Sequence, residues 1–158
     1  MTAAEVRVVA HLATIPINAL LIAWVAIGRT ALLPDGATDD LRLTGSVLAP
    51  VLALLLGATS VLAARGRRGH QLTGGQFAAL AGIWATLAGF GFFLMDTDPT
   101  TAAAASPFTE IVGARFAPLS DALALACIHG FVAAYIALLL QLTHARARRR
   151  TLAPAAVD

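Results

Sequence analysis

The sequence contains no lysine and only one cysteine. All 11 basic residues are arginines, and the single cysteine, Cys127, excludes both an internal disulfide and a thiolate metal cluster. The formal net charge of +2 is too small to indicate nucleic acid as a partner. A lysine-free chain rich in alanine and arginine is typical of GC-rich bacterial genomes, which indicates an origin and no function.

Charge itself is missing over long stretches of the chain. Four segments of 21 to 24 residues contain no acidic or basic residue: Val8–Gly28, Leu43–Ala64, Leu72–Met95 and Ala122–Thr143. About 20 helical residues cross the hydrocarbon core of a bilayer. Runs this apolar show no strand-like alternation, and an open sheet edge is not stable in lipid. The sequence therefore predicts an all-α integral membrane protein, a four-helix transmembrane bundle with antiparallel up-down topology, and residues 1–158 form its single domain.

The arginines are distributed unevenly among the segments that flank these spans. Eight lie before span one, between spans two and three, or after span four: Arg7, Arg65, Arg67, Arg68, Arg146, Arg148, Arg149 and Arg150. The other three, Arg29, Arg42 and Arg115, share the opposite side with seven of the nine acidic residues. Arginine-rich loops stay in the cytoplasm. We therefore expect a multi-pass protein of the plasma (inner) membrane with both termini cytoplasmic and a basic tail over residues 144–158. The arginines of this tail are expected to determine topology, and binding to anionic lipid is the alternative.

The second external loop, residues 96–121, has two parts. Residues 97–107 are small and polar and are predicted to be extended or mobile. Residues 108–116 place apolar side chains at the spacing of one helix face: Phe108, Ile111, Val112 and Phe116. This spacing predicts a short amphipathic helix on the outer membrane face that ends at Pro118. An irregular loop packed on the bundle is the alternative.

Small residues recur at every fourth position in three of the spans. They are Gly45, Ala49, Ala53 and Gly57 in span two, Ala81, Ala85 and Gly89 in span three, and Ala122, Ala126, Gly130 and Ala134 in span four. Helices in lipid associate through close backbone approach, so these ridges predict tight packing within one chain or also between copies.

Proline and tryptophan positions add detail to the predicted spans. Pro16 and Pro50 each remove a backbone donor, which predicts a kink at mid-membrane in span one and another in span two nearer the outer surface. Trp24 lies near the outer end of span one, where tryptophan is typical of an interface anchor, whereas Trp84 is expected to pack between helices or face acyl chains.

Polar residues inside the spans are the first candidates for function. At about 1.5 Å per residue, Asn18, Thr86 and His129 reach about the same mid-bilayer level, with Trp84 and Tyr135 nearby in depth. We expect Asn18 and His129 to face the bundle interior. Two interpretations stay open: these residues hydrogen-bond between helices and set their register, or they line a pore.

Haem and metal sites have less support. Two histidines that ligate one haem iron must lie at the same depth in the membrane, but His11 and His129 lie on the order of 13 Å apart along the membrane normal. Ligation of a haem by a single histidine therefore stays open. The acidic residues that could converge outside the membrane are Asp96, Asp98, Glu110 and Asp121. Their oxygens suit Ca²⁺ or Mg²⁺, but their spacing matches no known loop, and solvated acids are the simpler explanation. We predict no catalytic residue, no metal and no cofactor.

The sequence indicates architecture better than function. We expect a non-enzymatic accessory or interaction subunit of a membrane complex, whose acidic outer loops and lipid-facing helices contact a partner. The alternative is a small oligomeric transporter or channel with a polar constriction at mid-bilayer, and a membrane enzyme or redox protein is a third possibility. The expected partners are the lipid bilayer and either another membrane protein or further copies of the chain, with no nucleic acid.

Overall fold

The structure is a computed structural model, and it is mostly helical in the parts of the chain that it describes. The backbone is described for residues 3–28, 32, 44–65, 73–97 and 104–152, and side-chain surroundings for residues 14–28, 32, 46–61, 73–96 and 104–144.

Five α-helices follow one another along the described chain. They are α1 (Ala3–Ala26), α2 (Ala49–Arg65), α3 (Gly74–Phe93), α4 (Pro107–Val112) and α5 (Ala117–Leu152). A π-helical turn, Thr44–Leu48, precedes α2, and a 3-10 turn, Ala114–Phe116, joins α4 to α5. Between α3 and α4, the two-residue strands β1 (Asp96–Thr97) and β2 (Ala104–Ala105) pair antiparallel, with Asp96 opposite Ala105.

Side chains that cap the backbone set where α3 and α4 begin. The Thr73 side chain accepts a hydrogen bond from the backbone N–H of Gln76 at 3.3 Å. The Gln76 side chain accepts in return from the backbone N–H of Thr73 at 3.1 Å, which makes a reciprocal capping box. Ser106 caps α4 in the same way through Thr109, and Pro107 follows it in the first helical position, where no N–H is required.

The four long helices share one apolar core. Its fully buried members come from α1, α2, α3 and α5: Val25, Leu52, Leu56, Leu80, Ile83, Leu87 and Leu138. Contacts from Asn18 to Trp84 and from Trp24 to Ala88 show that α1 runs parallel to α3. Helix α3 contributes three of the seven buried residues, so it lies at the centre of this core.

Helices α3 and α5 pack antiparallel through a series of glycines spaced seven residues apart. Each glycine of α3 faces one residue of α5: Gly75 faces Gln141, Gly82 faces Ala134 and Gly89 faces Cys127. A Cβ atom at Gly89 would lie 2.9 Å from Cys127 Sγ, so only glycine permits this approach without movement. A seven-residue repeat on both helices is the geometry of a left-handed supercoil.

The prediction that small residues at every fourth position form the helix contacts is therefore only partly correct. Gly89, Gly130 and Ala134 do lie in the contact between α3 and α5. Other members of the ridges are exposed: Ala53 and Gly57 in α2, Ala85 in α3, and Ala122 and Ala126 in α5. A four-residue step advances by about 400° in a helix of 3.6 residues per turn, so a ridge of that period turns away from its partner, whereas a seven-residue repeat stays almost in line.

The loop before α5 differs from its prediction in two ways. The short helix α4 ends at Val112 instead of continuing to residue 116, because the next residue, Gly113, has φ = 107°, a backbone conformation that favours glycine. Pro118 does not end a helix; it lies in the first turn of α5, which begins at Ala117 before the predicted start at Ala122. Proline is tolerated in a first turn because its missing donor has no intrahelical acceptor there.

The two prolines that were predicted to kink spans one and two lie at different places in their helices. Helix α1 continues through Pro16. Pro50 is the second residue of α2 and cannot donate to the carbonyl four residues earlier, and the π-helical turn Thr44–Leu48 lies directly before it. The irregularity predicted for span two is thus a change of helix type at its start.

Two segments are long and apolar enough to cross a membrane, judged by length and composition. They are Gly74–Phe93, with mean hydropathy 1.4, and Ala114–His144, with mean hydropathy 2.3. The shorter apolar segments in the described parts of α1 and α2 are Thr14–Ala26 and Ser46–Val61. Core helices of soluble proteins can have the same length and composition, but they are mostly buried.

Candidate functional site

Asn18 connects three helices through its amide group. It is buried, with 6% of its surface exposed. Its Oδ1 accepts from the Trp84 indole N–H at 2.9 Å, and its Nδ2 donates to Ser60 Oγ at 3.4 Å. Ser60 Oγ donates in turn to the Leu56 carbonyl at 2.8 Å. The prediction that Asn18 faces the interior between the packed helices is confirmed, and its hydrogen-bond partners lie on α2 and α3.

Helix α5 reaches the same region through Tyr135. Its hydroxyl donates to the Leu55 carbonyl of α2 at 3.1 Å, and its ring stacks with Phe131 at a centroid distance of 5.8 Å. Trp84 and Tyr135 both make polar contacts between helices, Trp84 with Asn18 and Tyr135 with the Leu55 carbonyl, and their shared depth in a bilayer stays a prediction.

Thr86 lies near this network without joining it. Its hydroxyl donates within α3 to the carbonyls of Gly82 at 2.8 Å and Ile83 at 3.0 Å. Its methyl group faces Gly130 of α5, where a Cβ atom would lie only 2.9 Å away. Thr86 is thus a packing residue in the contact between α3 and α5.

His129 is exposed, and the prediction that it faces the interior with Asn18 is wrong. Its Nδ1 lies 2.8 Å from the carbonyl oxygen of Leu125 on its own helix. Gly130 occupies the position that faces α3, and successive residues of an α-helix point about 100° apart. The tight contact at Gly130 therefore directs His129 away from the other helices.

The arginines and His11 are described only in part. Arg67 and Arg68 lie outside the described residues. The backbone alone is described for His11 in α1, for Arg65 at the end of α2 and for four arginines of α5: Arg146, Arg148, Arg149 and Arg150. The beginning of the predicted tail thus continues α5 as a helix to Leu152. The role of these arginines in topology and the absence of a haem stay predictions.

The acidic residues do not share one environment. Glu110 and Asp121 are exposed, Asp98 lies outside the described residues, and Asp96 is only 1% exposed. The expectation of solvated acids is therefore wrong for Asp96, because the pairing of β1 with β2 folds the chain back at this point. Among the described residues, no three His, Cys, Asp or Glu side chains are grouped so that they could hold a metal ion.

A buried hydroxyl cluster at the same end of the molecule was not predicted. Ser106 and Ser120 are fully buried, with their Oγ atoms 2.8 Å apart, and Ser120 Oγ donates to the Phe93 carbonyl at 2.8 Å. The Phe108 ring packs edge-on against Phe93 at a centroid distance of 5.3 Å. These contacts hold α4 against the end of α3 and the start of α5. Ser106 directly before Pro107 was the available signal, since this pair typically begins a helix.

Trp24 also has a role that differs from the predicted interface anchor. Its indole N–H donates to the Ala88 carbonyl of α3 at 3.1 Å. A Cβ atom at Gly91 would lie 2.5 Å from Trp24 Nε1, so the ring rests directly on the backbone of α3. Trp24 therefore fixes α1 to α3.

Comparisons with protein-family models, curated proteins and solved structures found no match to this chain. What the site can do is therefore inferred from its geometry. Asn18, Ser60 and Tyr135 hydrogen-bond between helices or to backbone carbonyls, an arrangement that stabilises helix contacts. His129 instead presents its ring on the exposed side of α5. The outer side of α5 is thus the better candidate for recognition.

Proposed function

We propose that this chain is a four-span integral membrane protein that acts as a non-enzymatic accessory or interaction subunit of a membrane complex. The observation that supports this proposal is a stripe of large aliphatic side chains on α5, each 44–56% exposed: Leu125, Ile128, Val132, Ile136 and Leu140. We refer to this stripe, with the exposed residues between its members, as the outer face of α5. A water-soluble monomer rarely exposes so long an apolar surface, whereas acyl chains or a partner helix would cover it favourably.

Helices α1 and α2 have apolar outward surfaces as well. Ile15 and Leu20 of α1 are 72% and 70% exposed, and Leu54 of α2 is 74% exposed. The 24 residues of α1 extend over about 36 Å, more than the roughly 30 Å of a hydrocarbon core. These features support four spans, with α1 and α2 completing a transmembrane bundle around α3.

The charge distribution supports an orientation with both termini in the cytoplasm. The 36 residues of α5 extend over about 54 Å, so the helix is longer than the bilayer core is thick. Its last turns, after His144, contain the four arginines that the positive-inside rule assigns to the cytoplasm. The proposed location is a bacterial plasma (inner) membrane, with the α3–α4 connection on the outer side.

The accessory role is supported by the contrast between interior and exterior polar groups. Asn18, Ser60 and Tyr135 form hydrogen bonds that connect helices of the same chain. These groups stabilise the contacts between helices and are not available to a partner. His129, the polar residue on the outer face of α5, is available to one.

A small oligomeric transporter or channel is the second candidate, and the exposure of His129 is the observation that favours it. Several copies could arrange their α5 helices around a central pore, which would make a ring of His129 side chains its constriction. Asn18 would not contribute to this constriction, because its side-chain amide forms hydrogen bonds with Trp84 and Ser60 between the helices.

Purification from native membranes at the natural expression level, in a mild detergent, tests the proposed function. Native mass spectrometry of the purified material then gives the composition of the complex. An accessory subunit is expected with a second membrane protein in fixed stoichiometry. A symmetric homo-oligomer that conducts ions in planar bilayers would support the channel instead, and a chain that is monomeric in every mild detergent would contradict both candidates.

A further inference from the structure

The hydrogen bond from His129 to its own helix determines what the ring offers to a neighbour. Its Nδ1 lies 2.8 Å from the Leu125 carbonyl oxygen, and a carbonyl oxygen can only accept a hydrogen bond. Nδ1 must therefore carry a proton and donate it. In the neutral ring, Nε2 then has a lone pair and no proton. His129 thus presents a hydrogen-bond acceptor at the outer face of α5.

Among the described residues, the exposed neighbours of this acceptor on α5 have no polar side chain. Ala126 and Ala133, about one turn to either side, are both exposed, and so are the aliphatic neighbours Leu125, Ile128 and Val132. The two alanines leave room for the backbone of another helix to approach closely. A polar group that faces hydrocarbon without a partner costs free energy, so a helix that brings a donor to Nε2 would be favoured over acyl chains.

Among the described residues, a second copy of this chain offers no such donor. A parallel pair related by a twofold axis through the outer face of α5 would place one His129 against the other, and two lone pairs cannot form a hydrogen bond. The exposed side chains of the described residues that could donate lie towards the ends of the apolar segments: Ser46, Thr73, Arg115 and Thr143. Among the described residues, the complementary donor for mid-span His129 is therefore missing from the exposed surface of the chain.

We propose that the outer face of α5 docks a transmembrane helix of a different membrane protein, and that a side-chain N–H or O–H group of this helix donates to Nε2 of His129. The proposal rests on the accessory function above and deepens it by assigning the contact surface and the chemistry of the partner. The exposed small residues Ala53 and Gly57 on α2 would let another helix approach as closely, but their side chains offer it no hydrogen-bond acceptor. This surface of α2 is therefore the control for the outer face of α5.

A defined probe tests whether His129 accepts from a neighbouring helix. The full-length protein in phosphatidylcholine vesicles is mixed with a synthetic polyleucine transmembrane helix that carries one central tryptophan, and association is measured by energy transfer. The same helix with phenylalanine is the control, because tryptophan is a donor only and phenylalanine has no N–H. A hydrogen bond between membrane helices corresponds to about 3- to 20-fold tighter association of the tryptophan helix.

The variants decide where that preference originates. His129→Leu should abolish the difference between the two probe helices, whereas Ala53→Leu on α2 should leave it unchanged. Equal association of both probes with the unmodified protein, or a preference that persists in His129→Leu, would overturn the proposal.

Photo-crosslinking in native membranes tests the identity of the occupant. A benzoylphenylalanine is placed on α5 at Leu125 or Val132, two large exposed residues beside His129, and on α2 at Ala53 as the control. We expect the two α5 positions to form adducts with a different membrane protein. The yield of these adducts from Ala53 should be at least tenfold lower. These adducts should be lost in His129→Leu and retained in His129→Gln, whose amide oxygen can still accept.

The other results of this experiment contradict separate parts of the account. Adducts between two copies of the chain, or adducts with lipid alone from both α5 positions, would overturn the docking proposal. A second protein that crosslinks from Ala53 and not from α5 would also overturn it while leaving the accessory function intact. If no second protein purifies with the chain, the accessory function fails, and the vesicle experiment still decides whether His129 accepts from a donor helix.

Discussion

Helices α3 and α5 pack against each other but have very different surroundings. The apolar segment of α5 has the higher mean hydropathy, 2.3 against 1.4 for α3, yet only 11% of it is buried compared with 39% for α3. In a soluble protein the most apolar helix is expected to be the most buried. The reversal supports the proposal that lipid or a partner helix surrounds α5.

The two helices also place their polar groups differently. Trp84 of α3 donates to Asn18 between helices, and Thr86 donates to carbonyls of its own helix. In α5, His129 is exposed on the side away from the other helices. The comparison distinguishes an inner helix that holds the fold together from an outer helix that is available for contacts. Stability measurements on variants in lipid bicelles can sharpen or break this distinction.

The largest contrast is expected between equivalent truncations in the two helices. Leu87→Ala in α3 removes a side chain that is 3% exposed, whereas Leu125→Ala in α5 removes one that is 56% exposed. The first should lower the free energy of unfolding by about 2–5 kcal/mol through a cavity, and the second should change it by less than about 0.5 kcal/mol. Titration with sodium dodecyl sulfate measures both. Similar losses in the two variants would break the comparison.

The next contrast concerns two glycines. Gly91→Ala places a methyl group against the Trp24 indole, where a Cβ would lie 2.5 Å from Nε1, while nothing lies within 4 Å of a Cβ at Gly57. Gly91→Ala should destabilise by about 1–3 kcal/mol, and Gly57→Ala should be neutral or slightly stabilising. Thermal unfolding followed by circular dichroism gives the difference. A neutral Gly91→Ala would show that Trp24 does not rest on α3.

A smaller loss is expected at the hydroxyl cluster between α3, α4 and α5. Ser120→Ala removes the donor to the Phe93 carbonyl and the partner of Ser106, which should cost about 1–2 kcal/mol. Thr143→Ala is the control, because that exposed hydroxyl bonds only to its own helix. Hydrogen exchange of residues 107–112 should rise in Ser120→Ala and stay unchanged in the control. Unchanged exchange in both would mean that the cluster does not hold α4.

The smallest expected effect is a coupling free energy. A double-mutant cycle of Asn18→Leu and Trp84→Phe should give about 0.6 kcal/mol and no more than about 1.7 kcal/mol, the average and the maximum for hydrogen bonds between membrane helices. A cycle of Asn18→Leu with His129→Leu should give no coupling, since His129 lies on the outer side. Coupling in the second cycle and none in the first would restore the interior position that the sequence predicted for His129.

The helical character and the approximate positions of the four long helices could be predicted because charge-free runs are a direct physical signal. The inward position of Asn18 was also predictable, since a buried amide requires partners. Which side of α5 faces α3 was not. It depends on the seven-residue spacing of Gly75, Gly82 and Gly89 against α5, and a four-residue search of an alanine-rich sequence also matches exposed residues such as Ala122.

The error at His129 has the same origin. Depth can be counted along one helix, but direction depends on which neighbouring residue makes the closest contact, and that residue is Gly130. The buried hydroxyl cluster was not found because its members come from separate parts of the chain. Ser106 and Ser120 are brought together only when α4 folds back between α3 and α5.

The central claim is that the apolar surfaces belong to membrane spans with both termini in the cytoplasm. Cysteine labelling in intact cells tests it most directly, in a Cys127→Ala background so that each introduced cysteine is the only thiol. Cysteines at Asp40 and Ala104 should react with a membrane-impermeant maleimide added from outside, and cysteines at His70 and Asp158 should react only after the cells are opened. Labelling of position 70 from outside, or equal labelling of all four positions in intact cells, would contradict the account.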